Sequence, residues 1–235
     1  MDTLQARARE MGVELDERQI GLFAVYLREL KDGNERANLT AIVDDEEIVA
    51  KHFLDSLTIL PFIPPGARTM IDIGTGAGFP GLPVKIARPE LVMTLLDATA
   101  KKVLFLEHLI SLLELQDISA LQGRAEDLGR EARYREQFDA AAARAVAPLP
   151  VLAEFALPLV KTGGVFIAEK GGEEDIEASA EAIKTLGGTI TRVESINIPG
   201  LPPEPRRRII VIEKRSETPP KFPRRAGIPS KRPLQ

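Results

Sequence analysis

The chain has no cysteine, and that one absence removes several chemistries. Disulfides, iron–sulfur clusters, thiolate zinc sites and cysteine nucleophiles all need the missing thiol. Only two histidines occur, His52 and His108, without metal-ligand spacing, so no metal is expected. No apolar run reaches the roughly eighteen residues of a membrane span, so no membrane partner is expected either. The opening "MDTLQARARE" is charged and helical in pattern, unlike a secretory signal with its apolar centre. A cytoplasmic protein is the expectation, and the sequon Asn38-Leu39-Thr40 is discounted on that ground. Coiled-coil heptads are missing, which makes a monomer the expected state.

What is present suits a single α/β domain with a modest extension: 235 residues, 44% of them hydrophobic. Net charge is −4, but it is unevenly placed. From Arg206 onward there are ten Lys or Arg and two Glu, which leaves the preceding residues with 21 basic and 33 acidic side chains. Basic tails of this kind often meet phosphate backbones, although a solvated terminus has the same composition.

Residues 72–83, "DIGTGAGFPGLP", place four glycines between a strand-like run and a helical one. Glycine tolerates positive φ and lets a ligand approach the main chain. Gly76, Gly78 and Gly81 satisfy the dinucleotide fingerprint G-x-G-x-x-G, with Asp97 about twenty residues on. Asp72, Gly74, Gly76 and Gly78 equally fit the acid-x-Gly-x-Gly-x-Gly turn of S-adenosylmethionine sites. The turn alone does not choose.

The first 60 residues carry helical periodicity, as in Ile20, Phe23, Ala24, Leu27 and Leu30, with Gly12 and Gly33 as helix stops. "LPFIPPG" then breaks the chain. Strands are predicted at Thr69–Ile73, Val92–Leu96, Ile118–Leu121, Phe138–Ala143, Gly164–Ala168, Thr189–Ile196 and Arg208–Glu213. Helices are predicted between the first six: Gly81–Ala87, Ala100–Glu114, a short one near Asp127, Pro150–Val160 and Glu173–Leu186. Such alternation means a parallel sheet covered on both faces. "PGLPPEPRR" is too short for a parallel crossover, so the seventh strand should return antiparallel to the sixth. That ending is the pattern of class I methyltransferases rather than of dinucleotide dehydrogenases. The expected whole is one domain, 1–235: a helical segment (1–63), a Rossmann-like core of seven mostly parallel strands (67–214) and a basic tail (215–235).

Ligands of open α/β sheets bind beyond the carboxyl ends of the strands, which nominates the Asp72–Gly78 turn, Asp97, Ala125-Glu126 and Arg144. Asp97 can accept two hydrogen bonds from a vicinal diol, or hold the helix that starts near Ala100. Phe79 could lie against an adenosyl group or pack on the sheet, and Glu126 could simply favour a helix start. Arg144 leaves an alanine-rich strand, where an idle charge would be costly; a salt bridge to a nearby acid is its structural alternative. His52 and Asp55, three apart, can meet on one helix face, which suggests a structural or substrate-positioning pair. The tail cations Lys221, Arg224, Arg225, Lys231 and Arg232 are interleaved with prolines, so an extended strip along RNA is expected.

The motifs "NLTAI" (Asn38–Ile42), "HFLDSL" (His52–Leu57), "DIGTGAGFPGLP", "LLDATAKKVLFL" (Leu95–Leu106), "GRAEDL" (Gly123–Leu128), "ARAVAPL" (Ala143–Leu149) and "TPPKFPRRAGIPSKRPL" (Thr218–Leu234) occur in this order. Together they resemble the small-subunit ribosomal RNA methyltransferases of the RsmG, or GidB, family. The resemblance implies methyl transfer from S-adenosylmethionine to N7 of a guanine in the 530 loop of 16S rRNA. It also implies cofactor contacts at Gly74, Phe79, Asp97, Ala98, Thr99, Ala125, Glu126 and Arg144, with 16S rRNA or the small ribosomal subunit as partner. One departure is "DATAKK", where the family often has Ser after this Asp.

The missing residues agree with that chemistry. Guanine N7 carries a free lone pair on the major-groove edge, so no general base is required. C5-pyrimidine methylation would need a cysteine nucleophile. Exocyclic-amine methylation commonly uses an Asn/Asp-Pro-Pro-aromatic loop where this chain has "RAVAPL". An NAD(P)-dependent oxidoreductase and a non-catalytic RNA-binding module remain as alternatives at this point.

Overall fold

The computed structural model describes residues 1–144, 147–171, 176–202 and 207–235. Helix α1 (Asp2–Glu10) and helix α2 (Glu17–Ala37) lead the chain. A capping box starts α2: the Asp16 side chain accepts from Gln19 N, and the Gln19 side chain accepts from Asp16 N. The Gln19 amide also donates to Ile86 O at 2.9 Å, tying α2 to helix α5 (Gly81–Ala87). Gly12 does follow the end of α1 at φ +76, but Gly33 stops nothing. It lies inside α2 because Phe105 fills the space beside it, and an added Cβ would come 2.8 Å from that ring.

Helix α3 (Asp45–Ile48) is capped by Asp44 and runs through a π-helical stretch, Val49–Leu54, into α4 (Asp55–Leu57). A 3-10 turn at Leu60–Phe62 closes this segment. The sheet follows: β1 (Thr69–Ile73), β2 (Val92–Asp97), β3 (Ile118–Gln122), β4 (Phe138–Arg144), β5 (Val160–Gly171), β6 (Gly188–Ile196) and β7 (Arg207–Lys214). Its order is β3-β2-β1-β4-β5-β7-β6. The first five strands pair in parallel, and β7 lies antiparallel to both β5 and β6. The order reverses between β1 and β4, which is where an open α/β sheet presents a ligand crevice.

Alternation along β4 shows the two faces. Ala140 and Ala142 join a core beneath the N-terminal helices, α5 and α6 (Ala100–Leu112). Ala141 and Ala143 join a second core beneath α7 (Ala125–Leu128) and α8 (Leu149–Ala156). The helix expected over Glu173–Leu186 appears as α9 (Ala180–Thr185), and residues 173–175 of that expectation lie outside the described residues. No helix among the described residues is long and apolar enough to cross a membrane.

The tail departs from the extended strip expected of it. Phe222 is buried in the second core, and the Arg135 guanidinium donates to Thr218 O and Phe222 O. Arg224 forks onto the fully buried carboxylate of Glu154 on α8, at 2.9 Å from Nε and 2.5 Å from Nη2. The chain then forms a short helix, α10 (Ile228–Lys231), with Pro229 in its first turn, where a missing N–H costs nothing. Prolines therefore shaped the tail without preventing a helical turn. Arg224 is held by protein, while Lys221, Arg225, Lys231 and Arg232 remain exposed.

Removing one partner of a buried ion pair strands the other. Arg224→Ala should cost about 3 kcal/mol in urea unfolding because the Glu154 carboxylate loses its counter-charge. An unchanged midpoint would mean that the tail contributes nothing to the folded core.

Candidate active site

The turn after β1 is built from residues that pin it and residues that yield. Gly74, Gly76 and Gly78 have φ of +70, +63 and +110, values that side chains rarely allow. The N–H groups of Gly74 and Thr75 donate to Leu96 O at 2.8 and 3.0 Å, which joins the turn to β2. From below, Asp72 Oδ2 accepts from Thr75 Oγ1 at 2.6 Å and from Gly81 N at 2.8 Å. From the side, the Tyr26 hydroxyl of α2 donates to Ala77 O at 2.7 Å. Asp72 has no exposed surface, so it braces the turn and does not face a ligand.

Beside this turn lies a cavity of about 310 Å³. Gly74, Asp97, Ala98, Ala125 and Glu126, all nominated by sequence, line it together. Asp97 Oδ2 accepts from Gly76 N at 2.9 Å and Oδ1 from Thr99 N at 2.8 Å. Each oxygen keeps a further acceptor site for a hydroxyl donor. Leu96, Ile73 and Phe155 make the apolar part of the wall. Glu126 Oε1 accepts from Gly227 N at 2.9 Å, and Ser230 of the tail also lines the cavity.

Phe79 does not lie in this lining. Its ring stacks on His52 at 4.5 Å and on Tyr26 at 5.3 Å, with the Arg144 guanidinium 5.0 Å above it. Nor do His52 and Asp55 bond to each other. The π-helical stretch separates their roles, and they meet through Arg144 instead. Asp55 accepts from Arg144 Nη1 at 3.1 Å and from Arg207 at 2.9 Å on each oxygen. His52 Nδ1 faces Arg144 Nη2 at 3.4 Å, and Nε2 lies 2.8 Å from Thr40 Oγ1. A ring nitrogen facing a guanidinium must accept, so the proton sits on Nε2 and donates to Thr40. Arg144 thus makes the salt bridge to a buried acid that was its structural alternative, and it is not among the residues that line the cavity.

These charges form a row. Asp72, Arg144, Glu169 and Arg207 project from β1, β4, β5 and β7 on the face beneath the N-terminal segment, alternating in sign across four neighbouring strands. Glu169 is 1% exposed, and neither of its carboxyl oxygens has a hydrogen-bond partner among the described residues. Burial, with Asp55 nearby, pushes it well above the usual carboxylate range. Burial likewise raises Asp72 to about 6, against the hydrogen bonds from Thr75 and Gly81. His52 moves the other way, to about 4, because burial and the Arg144 charge both oppose a proton.

Several participants escaped the sequence reading. Glu169 was signalled as an acid inside the apolar run "VFIAEK". Tyr26 reads as one more apolar position of α2. Arg207 cannot be told from its neighbours in "RRRII", and Ser230 gives no signal at all.

A sequence model of the family described as rRNA small subunit methyltransferase G matches residues 19–202. A ribosomal RNA small subunit methyltransferase G of Acetivibrio thermocellus is 50% identical over 228 residues, covering 97% of this chain and 93% of the relative. One from a Roseiflexus species is 47% identical over 236 residues and covers 100% of each. Among solved structures, a chain of the complex between the Haloferax volcanii Trm112 methyltransferase activator and a methyltransferase has a TM-score of 0.56 at 15% identity, covering 86% of this chain and 99% of that one. A chain described as a sarcosine dimethylglycine methyltransferase from Galdieria sulphuraria scores 0.54 at 12% identity, covering 74% and 89%. At such identities the structural likeness speaks for the fold alone.

The buried charges give stability a pH dependence with two opposed parts. His52 is depressed in the folded state, so its contribution is present at neutral pH and lost as pH falls toward about 4. Asp72 is raised, so its contribution is present at acid pH and lost as pH rises through about 6. His52→Gln removes only the first part. Between about pH 4.5 and 6.5 the variant's unfolding free energy should therefore fall relative to the parent's by about 2 kcal/mol. Parallel profiles in denaturant titrations would show that His52 does not titrate as a buried neutral ring.

Proposed function

Since the chain belongs to the rRNA small subunit methyltransferase G family, we propose that it transfers a methyl group from S-adenosylmethionine to N7 of a guanine in the 530 loop of 16S rRNA. The observation that carries the cofactor assignment is the cavity where Asp97, the glycine turn and an apolar wall converge. A carboxylate held by two main-chain N–H groups is a fixed acceptor for the two ribose hydroxyls, and Leu96, Ile73 and Phe155 suit the flat adenine. S-adenosylmethionine, when bound, supplies an electrophilic methyl on a sulfonium centre.

The protein's own part is orientation. Guanine N7 attacks with a lone pair that is already free, so no side chain has to remove a proton. Three nearby ionisable groups are engaged with protein partners rather than placed as bases, and a fourth, Glu169, is 1% exposed. His52 donates to Thr40, Asp72 braces the turn, and Asp55 is held by two arginines. Arg144, fixed by Asp55 and seated over Phe79, stands in this reading at the join of the cofactor and RNA sites and positions the target base. Holding nucleophile and methyl in line supplies several kcal/mol of the barrier reduction. The exposed cations Lys221, Arg225, Lys231 and Arg232 are assigned to rRNA phosphates, in free 16S rRNA or the small ribosomal subunit.

Two measurements test this. Asp97→Asn keeps the side-chain shape but removes the charge that strengthens the ribose hydrogen bonds. It should weaken S-adenosylmethionine in calorimetry by about tenfold or more, a loss of roughly 1.5–3 kcal/mol. NAD should bind neither protein; NAD binding to the parent in place of S-adenosylmethionine would sink the methyltransferase reading. Affinity for 16S rRNA should fall with salt at a log–log slope near about −3, from four phosphate contacts at roughly 0.7 each. Replacing Lys221, Arg225, Lys231 and Arg232 by Gln should flatten it. An unaltered slope would place the RNA elsewhere.

A further inference from the structure

The tail is held to the fold at several points before it meets the cavity. Thr218 Oγ1 donates to Leu186 O at 2.8 Å, which sets the segment against the end of α9. Phe222 then fills the second core, and Arg224 closes onto Glu154. Three residues later the Gly227 N–H donates to Glu126, a residue of the cavity wall, and Ser230 lines the same cavity. Gly227 has φ +80, and a Cβ there would meet nothing within 4 Å, so the backbone turn itself requires glycine. The chain is thus steered into a short helix whose residues border the space assigned to the cofactor.

We propose that residues 224–232 form a strap that completes the wall of the S-adenosylmethionine cavity, so that strap docking and cofactor binding are one coupled equilibrium. The inference rests on the cofactor reading above and deepens it. Glu126, expected at the cofactor, acts here as a positioning residue: its Oε1 is occupied by the strap. Ser230 lines the same cavity as Gly74 and Asp97. Anchorage is split accordingly. Phe222 and Arg224 fasten the strap to the core, while from Gly227 onward the chain meets the cavity wall at Glu126 and Ser230 and adds the lesser packing of Pro229 and Leu234.

That split allows the outer part to be removed without the anchors. A chain ending at Ala226 retains Thr218, Phe222 and Arg224. Its affinity for S-adenosylhomocysteine should drop by about tenfold in calorimetry, at a temperature where circular dichroism shows the ligand-free shortened chain still folded. Coupling is reciprocal: what the strap does for the ligand, the ligand does for the strap. Saturating S-adenosylhomocysteine should therefore slow tryptic cleavage of the intact chain after Arg225 by a similar factor, a result that a merely structural tail would not give. Equal affinity of the two chains, or cleavage indifferent to ligand, overturns the strap. Failure of the intact chain to bind S-adenosylhomocysteine would instead strike the cofactor reading, and the strap with it. Should the shortened chain not fold, the cleavage measurement on the intact protein decides.

Discussion

The Asp55 carboxylate, 1% exposed, takes hydrogen bonds from Arg144 at the end of β4 and Arg207 at the start of β7. Those strands lie on either side of β5, and Asp55 comes from the helical segment that precedes the whole sheet. One buried charge therefore holds together three parts of the chain that are distant in sequence. Burying it is tolerable only because two guanidinium groups repay the lost hydration. The arrangement also sets Arg144, whose guanidinium cannot leave Phe79 without abandoning Asp55. A side chain with that many rotamers would otherwise be a poor positioning device.

The glycine turn depends on the same helical segment. Tyr26 reaches Ala77, and Phe79 is stacked between Tyr26 and His52. The N-terminal helices are thus part of what shapes the turn, and a division into extension and core describes sequence better than function. Concentrating unpaired carboxyls such as Glu169 under this region costs stability, since burial opposes their ionisation. Such cost is commonly found at functional sites rather than spread through a fold. Here it lies toward the carboxyl ends of the central strands, beside Arg144.

Strands were legible because alternation and turn residues marked both ends; β1 and α5 appear with the predicted bounds. Short connections also made the antiparallel end legible, since a chain of that length cannot cross over. Gly33 misled because a glycine within a helix reads like a stop unless the side chain packed on it is known. Asp72 misled for a similar reason. Its position in the motif fits a ligand contact, but only coordinates show both its hydrogen bonds going to the turn's own groups. The His52–Asp55 spacing predicted a pair on one face, yet a π-helical stretch shifts the register, and nothing in "VAKHFLD" announces it. Contacts across about ninety residues, such as Arg144 with Asp55, have no local signal.

The tail shows why composition alone could not separate its two readings. A basic, proline-rich terminus looks the same whether it floats or docks, because charge is counted without regard to direction. In the fold the residues sort by side. Phe222, Pro223 and Pro229 turn inward, and Arg224 is neutralised by Glu154. Lys221, Arg225, Lys231 and Arg232 remain outward. Docking thus takes one cation into the fold, and on the proposed reading the others meet rRNA from a docked segment, which spends less ordering entropy on a phosphate contact than a mobile one. The acidic balance of the remaining chain, 33 acidic against 21 basic side chains, would disfavour RNA there on the same reading. On the proposed reading, a basic segment whose far end borders the cavity puts the phosphate contacts at the same end of the sheet as the methyl-donor site. The order of elements in the sequence, with the basic residues last, becomes an order in space through the contacts that Arg135, Glu154 and Glu126 make with the tail.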